Sequence, residues 1–219
     1  QNVPKAVKLV QELHALPEIP DALPTDAHQQ EVLGCLSDVL WFFVRSFITV
    51  TLSLQEQLTM LSAFSHTVDI LYIKNSLAFL TGVLFADTKA TIKNIYFIVT
   101  CLQLLNPDYL LYIILEGTDR LENMFSETRT MDHARNFDID QLASKLATAF
   151  LIHAILQRNP RLDRGHRRLD WAKAVGMDRI NPKSWKGNVR VGDVNLELAW
   201  SRGREIALAR LKATFGPEA

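Results

Sequence analysis

Apolar residues recur at three- and four-residue spacing along most of this chain, and the breaks between those runs divide it into helices. Asn2 is placed to cap a first helix opened by Val3 and Pro4, with Val7, Val10 and Leu13 on one face and His14 at its margin, as far as Leu16. Pro17, Pro20 and Pro24 then form an extended hinge that no helix can cross. A second helix is expected from Thr25 or Asp26 to about Phe47, with Val32, Leu36, Val39, Leu40, Phe43 and Phe47 on its apolar side. Trp41 and Phe42 widen that side, so this reads as the central helix. Ser53 and Glu56 make a capping box for a third helix, whose Leu58, Leu61, Phe64, Val68 and Leu71 repeat at helical spacing until Lys74 or Asn75. His66 lies off that stripe, as a surface or internally satisfied histidine. Residues 76–85 read as a short helix of their own, weak at Gly82. A fourth helix follows Asp87, turns Ile92, Ile95, Tyr96, Val99 and Leu102 inward, and stops at Asn106-Pro107.

The pattern then changes. An apolar run over 109–115 stops at Glu116-Gly117, after which Thr118 or Asp119 caps a helix with Glu122 in its first turn and Leu121, Met124, Phe125 and Thr128 as its stripe. That is a strand, a tight turn and a helix. Asp119 and Glu122 have the spacing of a capping box, so Glu122 reads either as a group that satisfies backbone donors or as a carboxylate presented beside a sheet edge. Asp138 and Gln141 cap another helix, with Ile139, Leu142, Leu146, Phe150 and Ile155 or Leu156 as its stripe. A last helix is expected from Asp193, with Val194, Leu196, Trp200, Ile206 or Ala207 and Leu211 inward despite Gly203.

At 219 residues, 48% hydrophobic and 22% charged, the chain suits one large or two small domains with a real core. It opens on Gln1 with no signal-peptide pattern, and is expected to be a piece of a longer protein. The longest apolar run, 39–50, is twelve residues broken by Arg45, too short to span a bilayer, so no membrane partner is expected. Cys35 and Cys101 are lone cysteines without a CxxC pattern; they read as buried free thiols in a reducing compartment, with pairing between them still open.

A formal net charge of zero conceals an asymmetry. Residues 1–157 hold 10 Lys+Arg against 17 Asp+Glu (net −7), residues 158–190 hold 10 against 3 (net +7), and residues 191–219 hold 4 of each. In the basic stretch Arg158, Arg161, Arg164, Arg167, Arg168, Lys173, Lys183 and Lys186 are interleaved with Trp171 and Trp185, and Pro160, Gly165, Gly176, Pro182 and Gly187 break it into short pieces. Cations at this density can neutralise nucleic-acid phosphates while the aromatics stack on bases. The same stretch could instead lie as an arm across the acidic helices. There is no P-loop, no GxGxxG, no HExxH and no nucleophile setting, and His133, His153 and His166 are too scattered for a metal site.

The string Leu121-Glu122-Asn123-Met124-Phe125, followed by Arg129, resembles P-element-type transposases. In that family a Leu-Glu pair followed by a Phe and an Arg opens the helix that carries the third metal-binding carboxylate of an RNase H-like DDE centre, and Glu122 is the matching residue. The opening run from Asn2 to Val7 also resembles the start of that family's helical insertion domain. The resemblance touches residues 1–16 and 109–150, while the tail from 158 resembles stretches of fungal proteins and carries no family function.

The resemblance implies a mainly α fold: a multi-helix, insertion-like domain over 1–107, a strand-turn-helix piece of an RNase H-like core over 108–157, and a basic segment with a final helix over 158–219. It implies two-metal phosphoryl transfer on DNA by the full-length protein, with Glu122 as a catalytic ligand of Mg²⁺. Nuclear localisation and DNA as partner follow, with a homo-oligomer as an option. The family's insertion domain binds GTP without a P-loop; Lys74-Asn75, Asp87, Lys89 and Lys93-Asn94 are candidate guanine or phosphate ligands, or ordinary surface groups. The two upstream Asp residues of a DDE centre are not identifiable in this chain, which alone is therefore not expected to cut DNA. Two alternatives stand beside this: a non-enzymatic helical interaction module in which Glu122 is only a cap, and a nucleotide-binding helical domain.

Overall fold

The computed structural model describes residues 3–15, 24–116, 128, 138–159 and 182–216. The chain divides into two compact units, Gln1–Ile114 with Met177–Ala219, and Leu115–Gly176. The first contains α1 (Val3–His14), α2 (Pro24–Ile48), α3 (Leu54–Asn75), α4 (Gly82–Leu105) and α6 (Leu196–Phe215); the second contains α5 (Ile139–Arg158). The chain is mainly α, as expected.

Helix α3 is the axis of the first unit. Leu54, Leu58 and Leu61 are fully buried, and so are residues on other faces of the helix: Gln57, Ser62, Ala63, Ser65 and Thr67 are each at most 1% exposed. A helix covered on every side cannot be apolar on one stripe only, and α3 solves this with small polar residues that bond within the helix. Thr67 donates to Ala63 O and Thr59 to Gln55 O, both at 2.8 Å. Its start is the predicted capping box, with Ser53 N–H donating to Glu56 Oε2 at 2.7 Å and Glu56 N–H to Ser53 Oγ at 3.3 Å. The breadth of its apolar side pointed to α2 as the central helix, and the structure corrects that. Val32 and Leu36 of α2 are exposed, while Cys35 and Val39 face the core and Phe43 meets Phe64 of α3 at 4.8 Å between ring centroids. Apolar width measures how much surface a helix offers; being surrounded also requires neighbours to approach closely.

The closest of those approaches is α6 on α3. Ala199, Gly203 and Ala207, four residues apart, are all buried on one line of α6. A Cβ on Gly203 would stand 2.4 Å from Ser62 Cβ and 2.6 Å from Thr59 O, so the two backbones meet where only glycine fits. Ser62 Oγ donates across the contact to Trp200 O at 2.8 Å. Gly203, which the last helix was expected to tolerate, is therefore the residue that lets it dock. Arg210 of α6 also reaches Asp38 of α2 at 2.6 Å, and His14 of α1 meets the same carboxylate at 3.0 Å while stacking on Trp41.

Residues 186–194 are threaded through the unit before α6 begins. Lys186 and Gly187 N–H donate to Val50 O at 2.8 and 3.1 Å, and Leu54 N–H donates to Asn188 O at 2.8 Å. On the other side Leu111 N–H donates to Val189 O at 2.9 Å and Val191 N–H to Tyr109 O at 3.0 Å. Gln103 Nε2 donates to Val191 O and Val194 O at 2.9 and 2.7 Å, and the Arg190 guanidinium joins Asp108 to Asp193. The run over 109–115, predicted as a strand, is instead one antiparallel bridge between Leu110 and Arg190 followed by a 3₁₀ turn, Ile113–Leu115. Leu111 and Ile113 are buried, which explains the apolar pattern, but among the described residues its partner is this single segment and not a sheet.

Two helix starts also differ from expectation. Helix α4 begins at Gly82, capped by Thr81 whose side chain accepts from Leu84 N–H, so the separate helix expected over 76–85 reduces to a turn, Ser76–Ala78, and the opening of α4. Helix α6 begins at Leu196, capped by Asn195, and not at Asp193. In the second unit, Asp138 and Gln141 cap α5 reciprocally at 3.3 and 2.8 Å, as predicted. Phe150 and Ile155, placed on its buried stripe, are exposed, and Ala149 is buried.

Gly203→Ala is expected to lower stability by about 1–3 kcal/mol through overpacking against Ser62, a fall of several degrees in melting temperature. Gly82→Ala, whose Cβ would meet only Tyr72 Oη at an ordinary 3.5 Å, is the control and leaves the transition within about a degree or two. Thermal melts of both variants followed by circular dichroism check this.

Candidate functional site

Where α3, α4 and α6 come together on the surface they leave a cleft of about 400 Å³ lined by Ser65, Lys89, Ala90, Ile92, Lys93, Tyr96 and Trp200. The helices set its chemistry by their register. Lys89 and Lys93 lie one turn apart on α4, and Trp200 and Arg204 one turn apart on α6, so each pair shares a face. Trp200 is 39% exposed, with Tyr96 edge-on at 5.3 Å and His66 at 4.6 Å between ring centroids. Tyr96 Oη donates to Leu58 O at 3.0 Å, and burial pushes its phenol well above the usual range. Lys89 Nζ donates to the Ser65 hydroxyl and forms an ion pair with Asp69 at 2.6 Å. Lys93 and Arg204 have no ion-pair partner among the described residues.

His66 stands behind the cleft. Its Nε2 is buried without a hydrogen-bond partner, and its ring lies against Trp200 within the electrostatic reach of Lys89 and Asp69. Burial first and the Lys89 ammonium second hold its pKa below the ordinary 6.5, with Arg204 adding to the depression and Asp69 opposing it. A second cleft of about 350 Å³, lined by residues that include Gln55, Glu56, Arg202 and Glu205, offers less chemistry. Glu56 is taken up by the α3 cap, and Gln55 pairs with the Asn195 backbone through two hydrogen bonds, at 3.1 and 2.7 Å.

Glu122, the candidate catalytic and metal-binding residue, lies outside the described residues, as do Arg161, Arg164, Arg167, Arg168 and Lys173. Arg158 is exposed at the end of α5. Lys183 and Lys186 are exposed in the first unit, where the backbone around Lys186 is held by Val50. That end of the basic stretch is thus woven into the helical unit. Of the candidate nucleotide ligands, Lys89 and Lys93 line one cleft; Lys74 and Asn75 end α3 and do not line it, and the Asn75 amide donates to Leu71 O at 3.0 Å. Among the described residues no three His, Cys, Asp or Glu side chains come together as a metal site. Both cysteines are free, and no described helix is long and apolar enough to cross a membrane. The sequence reading did not single out Trp200, Arg204 or Ser65 as site residues; the signal was the four-residue spacing of Trp200 and Arg204, opposite Lys89 and Lys93.

Because the folded state holds His66 below its unfolded pKa, the unfolded chain binds more protons at acidic pH. The His66 contribution to stability is complete above about 6.5 and falls as the pH drops through that value towards the folded pKa. His66→Gln should therefore show a shallower loss of melting temperature than the parent between about pH 7 and 5; identical pH profiles would show that His66 is not the group responsible. No family model matches the chain, and no curated protein or solved structure matches it.

Proposed function

We propose that this chain is part of a P-element-like DDE transposase, or of a protein derived from one, acting on DNA in the nucleus. The observation that carries the reading is the string Leu121-Glu122-Asn123-Met124-Phe125 with Arg129, which lies in sequence beyond the extended segment 109–112 and the turn Ile113–Leu115. The geometry is compatible with it in one respect. Residues 107–111 are bonded to 189–192, so the chain leaves a packed helical unit on the way to Glu122.

In the whole protein Glu122 would share two Mg²⁺ ions with two Asp residues supplied from outside this chain; the metals would activate the attacking oxygen and stabilise the leaving one. The basic residues Arg158, Arg161, Arg164, Arg167, Arg168, Lys173, Lys183 and Lys186 would hold DNA through its phosphates, since no single long helix is expected over 158–190 to enter a major groove.

Glu122→Gln in the full-length protein is expected to abolish strand cleavage while leaving DNA binding and the melting temperature unchanged. Cleavage that survives would assign the role to another carboxylate, and absence of cleavage by the parent protein would favour the interaction module. For this chain, duplex affinity should fall with salt at a log–log slope of roughly −4 to −5, the value for about five phosphate contacts. Arg164→Ala, Arg167→Ala and Arg168→Ala together should make that slope shallower by up to about three. A lowered melting temperature without any loss of DNA binding would identify the stretch as a structural arm.

A further inference from the structure

We propose that the cleft between α3, α4 and α6 holds an unstacked base of a single-stranded nucleic acid, with Trp200 as the stacking surface and Lys93 and Arg204 meeting the flanking phosphates. This goes beyond the transposase reading and does not depend on Glu122.

The cleft combines an aromatic wall with uncompensated positive charge. Single-stranded nucleic acid is bound in this way, by rings that cover base faces and cations that follow the backbone. Trp200 is held by two rings, His66 tilted against it at 4.6 Å and Tyr96 edge-on at 5.3 Å between centroids, and it lines the cleft while 39% exposed. A pre-set ring needs little ordering when a base arrives. The remaining polar groups are already engaged: Tyr96 Oη with Leu58 O, and Lys89 with Asp69 and Ser65. Few donors or acceptors are left to read a base edge, so the site is suited to stacking without strong sequence preference.

The distribution of charge favours a strand over a free nucleotide. A triphosphate concentrates negative charge and calls for convergent cations or a cradle of backbone N–H groups. Here Lys89 is neutralised by Asp69, and the two uncompensated cations sit on different helices, Lys93 on α4 and Arg204 one turn beyond Trp200 on α6. Lys93 lines the cleft itself, and Arg204 lies outside the lining, one helical turn or about 5.4 Å along α6 from Trp200, so a phosphate it holds would flank the stacked base and not share its pocket. Duplex DNA is a poor fit, because its base faces are already covered by their neighbours.

The test is fluorescence anisotropy of a labelled twelve-residue oligothymidylate titrated with the full chain at several salt concentrations. Trp200→Ala is expected to weaken binding about tenfold or more. Lys93→Ala with Arg204→Ala, both at exposed positions, is expected to flatten the log–log salt slope by about 1.4, the loss of two single-strand phosphate contacts. The double variant should keep the parent melting temperature, which makes it decisive if Trp200→Ala unfolds. The Arg164, Arg167 and Arg168 alanine variant separates this site from the basic stretch: the response to the Lys93 and Arg204 changes should persist in its background. Affinity for the oligonucleotide that neither variant alters would overturn the proposal. So would a free nucleoside triphosphate that competes as tightly as the oligonucleotide, or a duplex of equal length that binds as well and responds to the same changes.

Discussion

The first unit depends on a backbone-to-backbone contact between α3 and α6. Gly203 rests against Ser62 and Thr59 at distances no larger residue could occupy, and Ala199 and Ala207 extend the contact a turn in each direction. Helices that approach this closely bring many atoms into dispersion contact and let the Ser62 hydroxyl bond to Trp200 O across the junction. With α6 seated there, α2 and α4 cover the remaining sides of α3, and Leu54, Leu58 and Leu61 lose all contact with water. Burial of that kind is worth about 1.5–3 kcal/mol for each side chain.

Because α6 lies far along the chain from α3, the unit closes only when residues beyond 182 have returned to it. The threaded segment 186–194 makes this return specific. It bonds to the α2–α3 connection on one side and to 107–111 on the other, and Gly187 passes so close to Leu52 O that a Cβ would lie 2.0 Å from it. The same seating fixes Trp200 beside Tyr96 and His66, which turns a structural junction into the wall of a cleft. Fold and candidate site therefore share one cause. Arg204, one position after Gly203, sits one turn from Trp200 and shares its face.

Signals that act over three or four residues were legible in the sequence. Ser53 with Glu56 and Asp138 with Gln141 were read as reciprocal caps and are so, because a cap needs only its own turn. The α3 stripe of Leu58, Leu61, Phe64 and Val68 was legible for the same reason. What escaped depends on distant partners. The run over 109–115 is apolar because Leu111 and Ile113 are buried, a pattern that a strand and an extended strap share. Gly203 weakens a helix by its local propensity, and nothing within its own turn signals that Ser62 and Thr59 stand against it. The cleft was half visible: Lys89 and Lys93 were named as candidate ligands, whereas Trp200 was assigned to the interior because nothing local distinguishes a buried tryptophan from one that walls a cleft.

Native-state hydrogen exchange on the full chain tests the dependence of the unit on the α3–α6 contact most directly. If α3 and α6 open only together, the amides around Leu61 and Ala207 should exchange with the same, largest free energy in the unit and respond equally to added denaturant. Amides of α6 that exchange through a smaller, denaturant-insensitive opening while those of α3 stay protected would contradict the account, because α3 would then hold its structure without the helix said to enclose it.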